Sequence, residues 1–269
     1  MPATTTTPSP QRSAPSNGTP PRGASPGAPK RRVNRIALAR FEQAVLPAMA
    51  RRLPAWFTPD TLTAIALGGA GMMFAGYALA GDSLAWLHLA SLGFVVHWWG
   101  DSLDGTLARV RNIRRERYGF YVDHQCDVMS VLLLFAGLGL GPLMRLDVAL
   151  GFALAVLVLF NHVGLVTISR DVFKISFAGV GPTEGRLAMI VANTALWATG
   201  NPVVTDARGV PLTAADVFGL GCIALLLVAY LAFAISEGRT IARLDPRPEP
   251  GQDVVATGEA AASGAAGDA

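Results

Sequence analysis

Residues 84–109 read LAWLHLASLGFVVHWWG and then DSLDGTLAR, so an apolar run continues without interruption into Asp101, Asp104 and Arg109. A helix that spans a bilayer needs about 20 mostly apolar residues. Ionisable groups inside or at the edge of such a helix are costly and are, as a rule, functional. The stretch therefore implies a helical membrane protein whose chemistry sits at one end of this helix. Composition agrees: of 269 residues 51% are hydrophobic and 15% charged, with a mean hydropathy of +0.40. Soluble domains carry about 25% charged residues, so an ordinary soluble domain and a disordered chain are both excluded.

Working outward, the apolar runs predict an all-α polytopic fold of six transmembrane helices: 62–80, 84–100, 121–143, 147–168, a short one at 187–199 with Asn193 and Thr194, and 217–236. Residues 33–58 are basic and amphipathic, with Ile36, Leu38, Phe41, Val45, Leu46 and Met49 between Arg35, Arg40, Arg51 and Arg52. That pattern predicts an N-terminal helix lying in the membrane interface, broken near Pro47 and Pro54; a soluble surface helix is the plain alternative. Residues 1–32 and 245–269 are rich in Pro, Gly and small residues, which predicts disordered tails around a catalytic membrane domain at 59–244. Residues 181–185 predict a bent helix start. No signal-peptide apolar region precedes Val33, and Cys126 and Cys222 have neither a disulfide pattern nor zinc spacing.

The charges test this count. Nine of the 22 Lys and Arg precede the first span, five lie between spans two and three, three between four and five, and three after span six. Only Arg145 and Arg208 remain for the other side. Basic residues mark the cytoplasmic face, so both termini and the Arg109–Tyr118 loop are expected to be cytoplasmic. The basic balance thus reports topology, and no nucleic-acid motif accompanies it. The expected location is the plasma (inner) membrane, with the active site facing the cytoplasm.

The acidic residues have a helical spacing. Asp101 and Asp104 are three apart and Ala108 is four beyond Asp104; Gly119, Asp123 and Asp127 repeat every four. Each set lies on one helix face, so two neighbouring helices can aim four carboxylates at one point. Four anions in a half-dry space need cations, and all-oxygen ligands suit Mg²⁺ or Mn²⁺. Two such ions, held by Asp101, Asp104, Asp123 and Asp127, would form a phosphate clamp. Gly105 and Gly119 leave room for a ligand or a neighbouring helix, and Arg109 is placed to contact a phosphate. The plain alternative pairs the aspartates with the loop arginines, which gives the glycines and the regular spacing no purpose.

The residues around this core have two readings each. His97, one turn before Asp101, is either a partner of a carboxylate or a core histidine. His124 points away from the Asp123/Asp127 face and is a candidate substrate contact. Glu184 is a substrate contact or a carboxylate favoured by a helix start. Arg114 and Arg115, with Arg117, bind a phosphorylated acceptor, hold anionic headgroups or set topology. Trp98 and Trp99 read as interfacial anchors and Cys126 as packing.

The two halves, D-S-L-D-G-T-L-A-R at 101–109 and G-F-Y-V-D-H-Q-C-D at 119–127, resemble the signature D-x-x-D-G-x-x-A-R…G-x-x-x-D-x-x-x-D of the CDP-alcohol phosphotransferase family, with all eight fixed letters in order. Within that family, residues 123–127 are similar to the D-H-x-C-D of choline and ethanolamine phosphotransferases, and 181–185 resemble their P-T-E-G element. Residues 53–63 are similar to the family's P-N-x-x-T helix start, with Asp60 where asparagine is usual. The resemblance implies a CDP-linked donor, an alcohol acceptor, a lipid as one of the two substrates, CMP as leaving group, and a homodimer. The run Gly68-Gly69-Ala70-Gly71 permits close helix packing without establishing that dimer. The resemblance also implies Asp127 as general base and second-metal ligand. Gly105, Ala108, Arg109 and Gly119 would then line the nucleotide site.

Two arrangements stay open. A CDP-aminoalcohol donates its headgroup phosphate to diacylglycerol, which the D-H-x-C-D and P-T-E-G likenesses favour. Alternatively, CDP-diacylglycerol donates phosphatidyl to a soluble alcohol or polyol phosphate. Remoter classes are a membrane prenyltransferase, which would carry two separated Asp-rich motifs without G-x-x-A-R, and a transporter or scaffold, whose aspartates would spread along a pathway. The topology has a direct test: single cysteines at positions 115 and 208 should react with a membrane-impermeant reagent on intact cells only at 208. Labelling at 115 without permeabilisation would refute the assignment.

Overall fold

The computed structural model describes residues 31–33, 39–170, 172–174, 181–206 and 209–246. The elements run β1 (Arg31–Val33), α1 (Ala39–Arg52), α2 (Pro59–Ala78), α3 (Leu87–Val110), α4 (Glu116–Leu140), α5 (Leu146–Arg170), β2 (Val172–Lys174), α6 (Pro182–Thr199), β3 (Val203–Asp206), β4 (Pro211–Thr213) and α7 (Ala214–Leu244). Two single 3₁₀ turns, Leu79–Gly81 and Leu84–Trp86, reverse the chain between α2 and α3. The fold is all-α and membrane-type. Its strands are two short pairs the sequence pattern does not predict: β1 runs parallel to β2, and β3 and β4 form an antiparallel hairpin before α7.

Six long helices among the described residues, α2–α7, stand where the apolar runs are. By length and apolar composition three segments qualify to cross a membrane: Pro59–Gly81, Leu146–Arg170 and Ala214–Leu244. The other three carry charge for a physical reason. Asp101, Asp104 and Arg109 sit on α3, Asp123 and Asp127 on α4, and Glu184 and Arg186 on α6. The six-span count therefore does not follow from apolarity alone.

Other expectations shift at their edges. α1 continues through Pro47, where the sequence predicts a break. The missing N–H removes one helical bond, but Leu46 and Ala50 are buried in one cluster with Leu62 of α2 and with Leu103 and Leu107 of α3, which holds the helix together across it. α6 begins at Pro182, within the helix start expected at 181–185 and ahead of the apolar run at 187, and the Gly181 N–H donates to Glu184 Oε2 at 3.0 Å. At the N-terminal edge, Arg31–Val33 form β1. Residues 1–30, 247–269 and Arg208 lie outside the described residues.

α2 is the axis of the bundle. It packs closely against both α3 and α4, whereas α3 and α4 hardly approach one another along their backbones. Glycines make this possible. A Cβ on Gly69 would stand 2.6 Å from the His97 backbone nitrogen, on Gly93 2.7 Å from the Gly69 oxygen, and on Gly100 2.5 Å from the Leu62 oxygen. On Gly137, in α4, it would stand 2.7 Å from the Phe74 oxygen. Of the run at 68–71, Gly69 faces α3 while Gly68 and Gly71 face open space. Buried polar groups cross-tie the same helices: the Tyr77 hydroxyl donates to Asn193 Oδ1 at 2.9 Å, and Asn193 Nδ2 donates to Ser91 Oγ at 3.1 Å, joining α2, α6 and α3.

The end of the bundle remote from the acidic motif is closed by a second set of bonds. Asp216 caps α7 through Thr213 and accepts the Arg145 N–H at 2.8 Å. Asn201 Nδ2 donates to the Leu143 oxygen at 2.7 Å. Arg145 itself is exposed, and its ion pair with Asp147 at 2.7 Å raises its pKa further. On α7 the apolar residues Leu225, Val228 and Leu231 are exposed, as lipid-facing positions require.

Gly93→Ala should destabilise the detergent-solubilised protein by about 1–3 kcal/mol, because its Cβ meets backbone rather than a movable side chain. Gly71→Ala, which meets nothing within 4 Å, should leave the thermal midpoint unchanged or slightly higher. Equal effects in the two variants would contradict the packing described.

Candidate active site

The site is assembled by one turn and one axis. α3 closes at Val110 with Ile113 N donating to the Ala108 oxygen at 3.0 Å and Asn112 in the left-handed region at φ 55°. Asn tolerates that conformation better than most side chains. After residues 111–115 the chain returns as α4. At 1.5 Å per residue, Asp101 lies about 14 Å before the turn and Asp127 about 16 Å after α4 begins. The two motif halves thus reach the same depth on helices held apart by α2.

At that depth the carboxylates of Asp101, Asp123 and Asp127 each offer an oxygen, and these atoms lie within 4.8 Å of one another. All three side chains are partly buried. Three hard oxygen donors gathered in this way can hold a metal ion. Asp104, expected in the same cage, stands outside this group of three. Its Oδ2 accepts a hydrogen bond from Thr63 Oγ1 of α2 at 2.7 Å, and its Oδ1 accepts from the N–H of Gly105.

The glycines of the motif differ from those of the helix seams. A Cβ on Gly119 would meet nothing within 4 Å, and one on Gly105 would touch only Arg109 Nη1, at 3.5 Å. Their absent side chains leave open space beside the carboxylates rather than admitting a helix. Ala108 is half-buried on the same helix. Arg109 is exposed, and its Nη2 donates to Thr106 Oγ1 at 2.8 Å.

The other candidates have the following surroundings. His124 is stacked between Phe120 and Phe160, at centroid distances of 5.0 and 4.2 Å, and so packs toward α5. Glu184 caps the start of α6 through Gly181. Arg114 and Arg115 are exposed in the α3–α4 turn, with the Arg115 guanidinium 3.8 Å above the Tyr118 ring. His97 is buried on α3, and its Nδ1 makes no hydrogen bond. Trp99 meets Phe57 edge-on at 6.2 Å. Cys126 and Cys222 are free thiols.

Four residues around the site escape the sequence reading. Arg186 Nη2, from α6, lies 2.6 Å from Asp101 Oδ2. Glu42 of α1 accepts from Trp98 Nε1 at 3.0 Å and from Thr183 Oγ1 at 2.6 Å, so it ties α1 to α3 and to the start of α6. Arg111 donates to the carbonyl oxygens of Leu53, Pro54 and Phe57 at 2.9, 2.8 and 2.5 Å, clamping the α1–α2 linker under the site. Thr63 holds Asp104. One signal was available: Glu42 is the lone acid in the basic stretch 33–53. Arg111 and Arg186 are indistinguishable in sequence from topology-setting charges.

A family model described as CDP-alcohol phosphatidyltransferase matches residues 56–236, which include every aspartate of the site. Among curated proteins, the ceramide phosphoethanolamine synthase of Drosophila melanogaster is similar: 37% identical over 89 residues, covering 31% of this chain and 22% of that protein. The chain thus spans about a fifth of the length of that relative.

Thr63→Val should release Asp104. A hydrogen bond to a carboxylate is worth about 1.5–3 kcal/mol, so the thermal midpoint should fall, while Thr63→Ser should retain most of it. A Thr63→Val protein as stable as the parent would show that the bond does not hold Asp104 in place.

Proposed function

The chain belongs to the CDP-alcohol phosphatidyltransferase family, and we propose that within it the protein transfers a phosphoaminoalcohol group from a CDP-aminoalcohol to a lipid hydroxyl, that of diacylglycerol first, releasing CMP. The observation that carries the proposal is the convergence of Asp101, Asp123 and Asp127 from two helices onto one point. The choice of donor is supported by the D-H-Q-C-D of residues 123–127, the P-T-E-G of 182–185, and the local likeness to a protein named as a synthase of ceramide phosphoethanolamine.

In this reading Asp101, Asp123 and Asp127 hold divalent cations, with Asp104 joining them on leaving Thr63. Such cations, when bound, neutralise the diphosphate and the departing phosphate. The chain supplies the rest. Asp127, one turn beyond Asp123 along α4, accepts the proton of the acceptor hydroxyl. The hydroxyl oxygen bonds to the transferred phosphorus, and the bond from that phosphorus to CMP breaks. Gly105, Ala108 and Gly119 leave room for the nucleotide, and Arg109 faces its phosphates. α2–α7 cross the membrane with this end at the cytoplasmic surface, so a soluble nucleotide and a membrane lipid both reach it.

The test is reconstitution of the purified protein in lipid with Mg²⁺ or Mn²⁺. CMP should appear with CDP-ethanolamine and diacylglycerol or ceramide. CMP from CDP-diacylglycerol with a polyol phosphate, and none from the first pair, would select the phosphatidyl-transfer alternative that exposed Arg114 and Arg115 suit. Full turnover in excess EDTA would remove the cations from the reading. Asp127→Asn should cost about 10²–10⁴-fold in rate, as loss of a general base does, with donor binding largely kept, whereas Asp101→Asn should lose both. Equal loss of donor binding in both would make Asp127 chiefly a ligand.

A further inference from the structure

Arg186 lies in an electrostatically unfavourable place. It sits in the second turn of α6, near the positive end of the helix dipole, where a cation is disfavoured. The turn that carries it is fixed by Glu184 bonding Gly181 and by Thr183 bonding Glu42 of α1. Its side chain is only 15% exposed, and its guanidinium reaches across to Asp101, whose side chain is 22% exposed. A structural ion pair would need one carboxylate and one guanidinium; here the carboxylate is one of three gathered at a point.

A divalent cation and a guanidinium both draw on Asp101, and they repel one another. Uptake of the cation therefore weakens the Arg186–Asp101 pair. The guanidinium, half-dry and fixed at its base by the start of α6, then needs another anion. Its planar fork matches phosphate oxygens as well as carboxylate oxygens, and the donor brings a diphosphate to this same point. We propose that Arg186 is a phosphate-binding residue of the site, exchanging Asp101 for a phosphate oxygen of the nucleotide donor when the carboxylates take up their cation. The inference rests on the reading of the site given above, and it adds a residue from α6 that lies outside the aspartate signature.

The exchange has a signature that a structural role would not produce. Removing the positive charge should strengthen cation binding and weaken diphosphate binding. The experiment uses the full chain in lipid nanodiscs, with Mn²⁺ uptake followed by electron paramagnetic resonance and CDP affinity measured at saturating Mn²⁺. Arg186→Gln should bind Mn²⁺ about three- to tenfold more tightly, since a nearby like charge is gone. It should bind CDP about 10- to 100-fold more weakly, as loss of a charged hydrogen bond implies. Arg186→Lys should bind Mn²⁺ as the parent does and CDP with an intermediate affinity.

Weakening of both ligands in Arg186→Gln, or unchanged CDP affinity, would overturn the proposal. If Arg186→Gln does not fold, judged by its thermal transition, Arg186→Lys carries the test: weaker CDP with unchanged Mn²⁺ supports the exchange, and parallel loss overturns it. A parent protein that takes up neither Mn²⁺ nor CDP would sink the functional reading itself. A parent that binds both, with Arg186→Gln indistinguishable from it, sinks only the role of Arg186.

Discussion

Backbone-to-backbone contact along α2 is the constraint on which the rest depends. Gly69, Gly93 and Gly100 let α2 and α3 approach until a single added carbon would overlap a main-chain atom, and Gly137 does the same between α2 and α4. Without a hydrophobic driving force between helices in lipid, such close packing is what holds a membrane bundle together. It also decides where the chemistry goes. Because α3 and α4 are each seated on α2, their acidic faces stand across a gap instead of packing together. That gap is where Asp101, Asp123 and Asp127 meet.

The gap must be balanced electrostatically. Three carboxylates in a half-buried space repel one another and lose hydration. α6 brings Arg186 to Asp101, and α2 brings the Thr63 hydroxyl to Asp104. The polar groups are thus shared among four helices. The other end of the bundle is fixed by neutral and capping bonds around Asp216, Asn201 and Thr213. The acidic end thus gathers like charges against single partners from α6 and α2, while the remote end is tied by capping bonds.

The first helix, α1, belongs to the site more closely than its amphipathic pattern suggests. α1 is pinned through Leu46 and Ala50 in one apolar cluster with Leu103 and Leu107. Glu42 bonds Trp98 and Thr183, and Arg111 holds the linker that follows the helix. The turn that carries Arg186 is thereby braced from the amphipathic segment.

How much of this was legible in the sequence follows from the range of the forces involved. The all-α membrane class, the positions of the six helices and the two acidic faces are local properties. They depend on apolar run length and on helical period, and so they are written in the order of residues. The continuity of α1 through Pro47 was misjudged, since burial against α2 and α3 outweighs local propensity. Asp104 turning to Thr63, Arg186 pairing with Asp101 and Glu42 bridging two helices join residues 41, 85 and 141 positions apart. No periodicity encodes such separations. The sequence by itself determined which carboxylates share a helix face; only the packing of α3 and α4 on α2, and of α6 on α3, decided which of them meet and that Asp101 pairs with Arg186, because charge pairing acts through space.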